Sequence, residues 1–485
     1  MTYDIIHHQH ITDYQHSADV LVAGFGIAGA CAALEARRAG GDVLVLERAS
    51  AGGGASALSS GLFYLGGGTA VQEACGYRDS ADNMYRFMLA SMGWQDAALL
   101  RRYCDDSVEH FDWLEAQGVP FERSEFKGKA VFLLGTEGLL ATGNEKVWPY
   151  RELATPIPRG HQAQGEGESP GNVATSALLR RCATEGVRSL CDTWVTGLII
   201  DDEGRVCGLR ARHAGRDIHC LARRAVVIAT GGFAMNPELV RRHWPAISPT
   251  AEALGGPYND GSGIELGVAA GAATDAMSGF IATASIYPPG QLIKGIIVNR
   301  WGQRFVAEDS YHGRTAAHII EQSEQRAYLI VDAEIFAYPE IETAGHRLVD
   351  GFESVTEMER ALDMPAGSLA RTLSAYNTAA AVGEDPLLFK HRDWLKPLDQ
   401  APYAAFDISF NRSSYLYMTL GGLKINQHAQ VVDERGLPIG GLYAAGACTA
   451  HIPKSGHSYA SGMSLGPGSY FGRVAGRQAM VAELD

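Results

Sequence analysis

An α/β fold built on a parallel βαβ unit and interrupted by an inserted α+β segment is predicted by three observations. First, residues 18–23 (ADVLVA) form a short apolar run ending at glycine, as a buried parallel strand does. Residues 27–39, rich in Ala, Leu and Arg, read as the following helix, and residues 42–46 (DVLVL) as the next strand. Second, residues 194–229 alternate as further strands (WVTGLII, VCGLRARH, DIHCLA and AVVIA, with a turn at Asp202-Glu203-Gly204) and run into Thr230-Gly231-Gly232. Third, the character changes over 276–396, where strand-like IKGIIVN and AYLIVD, an amphipathic helix at 354–363 and a Pro-bounded loop read as an insertion. The expected division is therefore 1–275, an inserted cap at 276–396, and a returning part at 397–485.

Other elements are less regular. Residues 79–117 carry helical patterns, including one helix over 103–117 closed by Gly118; 122–170 read as irregular; 172–185 and 471–482 read as helices. Hydrophobic residues make up 46% of the 485 and charged residues 20%, which excludes general disorder. Glycine is in excess, 57 residues or about 12% against a usual ~7%, without a collagen period.

Lys plus Arg number 41 against 55 Asp plus Glu, a net charge of −14, so no nucleic-acid partner is expected. The eight cysteines contain no CxxC, and no metal is predicted; scattered thiols fit a reducing cytoplasm. The leader lacks the basic and apolar regions of a signal peptide, and no integral membrane segment is expected. His7, His8, His10 and His16 crowd this leader and read as a solvated or partner-contacting arm, with a metal site as the alternative. No oligomer is assigned.

The strongest motif is Gly24-Phe25-Gly26-Ile27-Ala28-Gly29, a G-x-G-x-x-G directly after the first strand, with Glu47 closing the second. Gly24 permits the tight turn, Gly26 lets the backbone approach a pyrophosphate, and Gly29 lets helix and sheet pack closely. The helix start at Ile27 and Ala28 favours phosphate charge, and Glu47 can accept from ribose hydroxyls, which favours FAD or NAD over NADP. Further glycine-rich turns follow at 49–54 (ASAGGG) with Ala55 and Ser56, at Ala229-Thr230-Gly231, and at 440–446 (GGLYAAG).

With these motifs, the chain resembles the FAD-dependent fumarate reductase/succinate dehydrogenase flavoprotein superfamily over essentially its whole length. The resemblance implies a glutathione-reductase-type Rossmann FAD domain split by a fumarate-reductase-like capping domain. It assigns cofactor contacts to Gly24, Gly26, Ile27, Ala28, Gly29, Glu47, Arg48, Gly54, Ala55, Ser56, Ala229, Thr230, Gly231, Asp260, Gly446, Ser464 and Leu465. Ala447 stands where many relatives carry Glu. Some members attach FAD through a histidine after the second strand; no His occurs between His16 and His110, so non-covalent FAD is expected.

Within the superfamily the chain is most similar to the 3-ketosteroid dehydrogenases, and among them to the Δ4-(5α) branch. The matches are 61–76 (GLFYLGGGTAVQEACG), 107–121, 156–161 (PIPRGH), 300–314 (RWGQRFVAEDSYHGR), 418–426 (MTLGGLKIN) and the Tyr459-x-Ser461-Gly-x-Ser-Leu-Gly end. The Tyr-Pro-Gly end of the Δ1 branch is absent. A double bond made beside a ketone requires loss of an α-proton and transfer of a β-hydride to flavin N5. The ketone oxygen gains charge and needs a donor, for which a phenol is suited. Tyr459 is the expected donor, with the N–H of Gly466 as a second. The resemblance gives Ser461 the proton and Tyr311 its relay. The implied partners are a steroid and an external electron acceptor, quinone or dye-like. A Δ1-dehydrogenase, a fumarate or ene-type reductase using Arg300, Arg304 or Arg314, and a non-catalytic flavin scaffold remain alternatives.

Overall fold

In the computed structural model, the described residues are 3–481 apart from 94–95, 131–134, 165–168, 285, 288 and 338–346. Five strands pair in parallel in the order Arg188–Leu190, Val43–Leu46, His16–Ala23, Arg216–Ile228, Pro438–Ala444. Val20 faces Val43 and Ala23 faces Leu46, so the two strands of the predicted βαβ unit are in register. Both sheet faces are covered. Val20 and Val22 enter one core with the helix residues Ala30, Ala33 and Leu34, while Leu21 and Ala23 enter the other. Antiparallel Thr193–Ile200 and Val206–His213 extend this sheet, and Asp4–His7 closes it in parallel.

The segment after 276 builds an antiparallel sheet of its own, Ile296–Asn299, Ala327–Asp332, Tyr403–Asp407 and Leu348–Phe352. Its strand Tyr403–Asp407 lies beyond residue 396. Phe280–Ala282 also crosses to pair with Tyr415–Thr419.

Several elements differ from expectation. The single helix over 103–117 is two, Ala97–Asp105 and Ser107–Ala116, meeting at Asp106. DIHCLA and AVVIA are one strand, Arg216–Ile228, whose pairing shifts register between Ala222 and Ala225. The irregular stretch holds a small sheet, in which Gly160–Gln162 pairs with Leu62–Tyr64 on one side and with Leu139–Leu140 on the other; residues 131–134 and 165–168 of that stretch lie outside the described residues. The last helix starts six residues early, Leu465–Val481, and Ala482 lies outside the described residues. Among the described residues no helix is long and apolar enough to cross a membrane. All eight cysteines are free.

Burial depresses a set of histidines. His161 and His451 are lowered to about 4 and His312 to about 3, each chiefly by desolvation. The unfolded chain takes up these protons below about 6.5, whereas the folded chain resists until far lower pH. Stability is therefore present above 6.5 and lost as pH falls toward 4. Each histidine held neutral to about 4 costs about 3 kcal/mol below that pH. Thermal melts are expected to drop between pH 6.5 and 4, and His161→Gln is expected to lessen the slope.

Candidate active site

Tyr311 and Ser461 arrive from distant parts of the chain. Tyr311 is the residue that caps the start of the helix His312–Ile320, and its carbonyl accepts from Thr315 N–H at 3.0 Å. Ser461 lies in the turn ahead of the last helix. Their hydroxyl oxygens are 2.8 Å apart. The Tyr459 ring is 6.4 Å from that of Tyr311, and both phenols are only 3% exposed.

A segment that the sequence reading treated as irregular holds this pair in place. Ser461 N–H donates to the Thr142 carbonyl at 3.0 Å, and Thr142 Oγ1 donates to the Ser461 carbonyl at 2.9 Å. Asn144 Oδ1 accepts from Tyr311 N–H at 2.9 Å. Glu145, 1% exposed, accepts from Tyr64 OH at 2.8 Å and from Gly143 N–H at 3.0 Å. Thr142 and Asn144 escaped the sequence reading because ATGNE has no periodicity; its cluster of small polar residues beside Gly143 was the available signal.

Ser464, expected at the cofactor, sits between Tyr459 and a buried histidine. Tyr459 OH is 2.9 Å from Ser464 Oγ, which is 3.2 Å from His451 Nε2. His451 Nδ1 lies 3.2 Å from the Leu420 carbonyl, an acceptor only, so Nδ1 carries the hydrogen and Nε2 accepts from Ser464. His451 was not read from the sequence; a lone histidine beside the AAG turn gives no pattern.

Burial dominates the electrostatics. Desolvation raises Tyr459 to about 12, opposed by its bonds to Ser464. Desolvation and the neighbouring Tyr459 raise Tyr311 well above the phenol range, opposed by Ser461. Both are neutral hydroxyls at neutral pH. Gly466 differs from expectation: its N–H lies in the first turn of the last helix and donates to the Gly462 carbonyl at 2.9 Å. That atom is already paired.

The three arginines of the dicarboxylate alternative are engaged elsewhere. Arg304 is buried between Glu308 and Asp385, with contacts of 2.7 and 2.9 Å. Arg300 pairs with Glu324, and Arg314 lies against the Tyr150 ring at 5.2 Å.

The nucleotide motif divides into glycines the fold needs and glycines it leaves open. Gly24 has φ +99°, and a Cβ there would lie 2.4 Å from the Ala229 carbonyl oxygen. A Cβ on Gly29 would lie 2.0 Å from the Gly24 oxygen. A Cβ on Gly26 meets only Ser56 Oγ at 3.3 Å and Gly53 O at 3.8 Å. The helix Ile27–Arg38 begins there without a side-chain cap on Gly26, leaving its positive end available to phosphate. Ser56 Oγ accepts from Ile27 N–H at 3.2 Å. Gly54 is open on all sides, Ala55 lies against Gly256, and Thr230 Oγ1 is buried with no hydrogen-bond partner among the described residues.

Glu47 accepts from Phe25 N–H at 2.7 Å and Ala49 N–H at 2.8 Å, which fixes its carboxylate beside the turn and leaves lone pairs for a ribose. Arg48 pairs with Asp260 at 2.6 Å and lies between the rings of Trp194 and Tyr258. Gly231 and Gly446 both have φ above +75°, and Gly446 faces Ala28, so the third turn closes over the helix start; Leu465 opens the last helix. This open backbone cradle, the helix start where only Ile27 N–H is taken by a side chain, and the orphaned Thr230 hydroxyl fit FAD.

The FAD binding domain family matches residues 19–463. The chain belongs to this family of fumarate reductase/succinate dehydrogenase flavoproteins. It is an FAD-dependent oxidoreductase. Among similar proteins of known structure is the 3-ketosteroid-Δ4-(5α)-dehydrogenase of Rhodococcus jostii RHA1 in complex with 4-androstene-3,17-dione. It is 39% identical, with a TM-score of 0.93, over 98% of this chain and 99% of that one. The 3-oxo-5-alpha-steroid 4-dehydrogenase of Comamonas testosteroni is 29% identical over 89% of this chain and 93% of its own length. A flavocytochrome c3 fumarate reductase is 25% identical, with a TM-score of 0.66, over 97% of this flavoprotein and 79% of its own chain.

The two kinds of glycine separate binding from folding. Gly29→Ala is expected to give little folded flavoprotein. Gly26→Ala is expected to fold with near-normal far-UV circular dichroism but to be purified with little flavin, read by visible absorbance.

Proposed function

We propose that this flavoprotein oxidises the saturated A ring of a 3-ketosteroid, placing a double bond between C4 and C5 beside the 3-keto group. The observation that carries the reading is the Tyr311–Ser461 hydroxyl pair, 2.8 Å apart, in which a buried phenol meets a half-buried serine beside Tyr459. The likeness to a steroid-bound Δ4-dehydrogenase at 39% identity supports the substrate class.

In this mechanism Tyr459 donates to the C3 oxygen as it gains charge. Its hydrogen turns from Ser464 toward the substrate. Ser461 Oγ takes the C4 proton while handing its own to Tyr311, because a serine alkoxide is not available unaided. Tyr311 relays that proton outward. Asn144 and Thr142 hold the pair by its backbone, so that positioning precedes the reaction. FAD, held non-covalently by the residues above, supplies the acceptor for the C5 hydride. Residues 276–396, with the strand Tyr403–Asp407 that completes their sheet, serve as the cap over an FAD-binding part formed by 1–275 and the chain after Asp407. An external quinone or dye-like molecule would be the final electron acceptor, and the free thiols support work in the reducing cytoplasm.

The test is dye-linked oxidation of a 5α-saturated 3-ketosteroid with identification of the product. A 4-ene product supports the proposal. A 1-ene product, or the absence of steroid turnover alongside reduction of fumarate, would falsify it.

A further inference from the structure

The helix that begins at Tyr311 ends at Glu321, and its last turn faces the loop that leads into Tyr459 and Ser461. His318 and Glu321, three residues apart, share one helix face. Glu321 Oε2 is 3.5 Å from His318 Nδ1, and its Oε1 is 2.7 Å from Nε2 of His457 in the loop. The two imidazoles stand edge to face, with centroids 4.6 Å apart. One donor atom from each residue lies within 4.8 Å of the other two.

We propose that His318, Glu321 and His457 bind a divalent transition-metal ion, zinc above all, which clasps the loop of Tyr459 and Ser461 to the helix of Tyr311. Two imidazole nitrogens and one carboxylate are a borderline-soft set that suits zinc, and they leave a fourth position for water. Magnesium and calcium prefer sites made of oxygen. Glu321 and His457 line a solvent-open cavity of about 630 Å³, which gives the ion an entry path.

A second group of this type exists among the described residues, at His7, His8 and Asp202. There a single oxygen of Asp202 takes His7, His8 and the Gln9 amide at 2.8 to 3.2 Å, whereas Glu321 offers a separate oxygen to each of its histidines. The second group serves as the control.

The test uses FAD-loaded protein freed of metal by a chelator and titrated with zinc against a chromophoric competitor. One tight site per chain is expected. Glu321→Gln and His457→Ala are each expected to weaken it by more than the ~10–100-fold that a metal's outer partners are worth, whereas His8→Ala leaves it unchanged. Zinc is expected to raise the melting temperature of the unaltered chain but not of His457→Ala. Cobalt(II) in the same site gives visible bands beyond those of flavin, a readout that needs no variant. Absence of stoichiometric uptake, uptake that survives both ligand changes, or uptake abolished by His8→Ala overturns the proposal. Flavin absorbance confirms that each variant is folded.

Discussion

Tyr459→Phe is expected to lower steroid turnover by about 10²–10³-fold, the usual loss when one donor to a developing oxyanion is removed. The phenol is buried, raised to about 12, and its hydroxyl bonds Ser464. FAD content and melting temperature should therefore stay close to those of the unaltered chain. The decisive comparison is kcat against flavin absorbance in the same preparation. Full activity with Phe at 459 would remove this residue from the mechanism. Ser464→Ala should act more mildly, since it frees the Tyr459 hydrogen while removing the link to His451.

Ser461→Ala and Tyr311→Phe are each expected to lower turnover by about 10²–10⁴-fold, the range for a lost proton-transfer group. Because the two hydroxyls act as one relay, the double variant should be hardly worse than either single one. Tyr311 also makes a pH prediction. Burial and Tyr459 hold it protonated well above the ordinary phenol range. A rate that needs this proton passed outward should climb into alkaline pH, and Tyr311→Phe should flatten the climb. A steep profile in Tyr311→Phe matching that of the unaltered enzyme would sink the relay.

The parts of this fold that were legible in the sequence are those where one local pattern has one outcome. The strand His16–Ala23 is apolar on both faces and runs into a glycine whose positive φ no other residue takes easily, so strand, turn and helix were read together. The strand Arg216–Ile228 was cut in two because Arg223 and Arg224 interrupt its apolar run; in the structure Arg223 reaches Asp19 on the adjacent strand His16–Ala23 and the strand continues. The start of the last helix was missed because Gly466-Pro467-Gly468 has the composition of a turn. Thr142 and Asn144 were invisible for another reason: their task is to bond the backbone of residues more than 150 positions away, and such pairing leaves no local period. The three catalytic candidates were read from a resemblance, and their spatial meeting lies beyond any local rule.

The last helix also bears on how this chain comes to exist. A Cβ on Gly472 would lie 2.4 Å from the Ala28 carbonyl oxygen, and one on Gly476 would lie 2.1 Å from that of Ala32. Backbone therefore rests on backbone between Leu465–Val481 and Ile27–Arg38. The parallel strands likewise gain their last member, Pro438–Ala444, flanked by Gln430–Val432, from the same late stretch of chain. The βαβ unit thus waits, with one side of its helix and one side of its sheet uncovered, until residues 438–481 are made. Nascent chains stopped short of residue 465 are expected to expose that side to chaperones and proteases, and to gain protection only once Leu465–Val481 has been added.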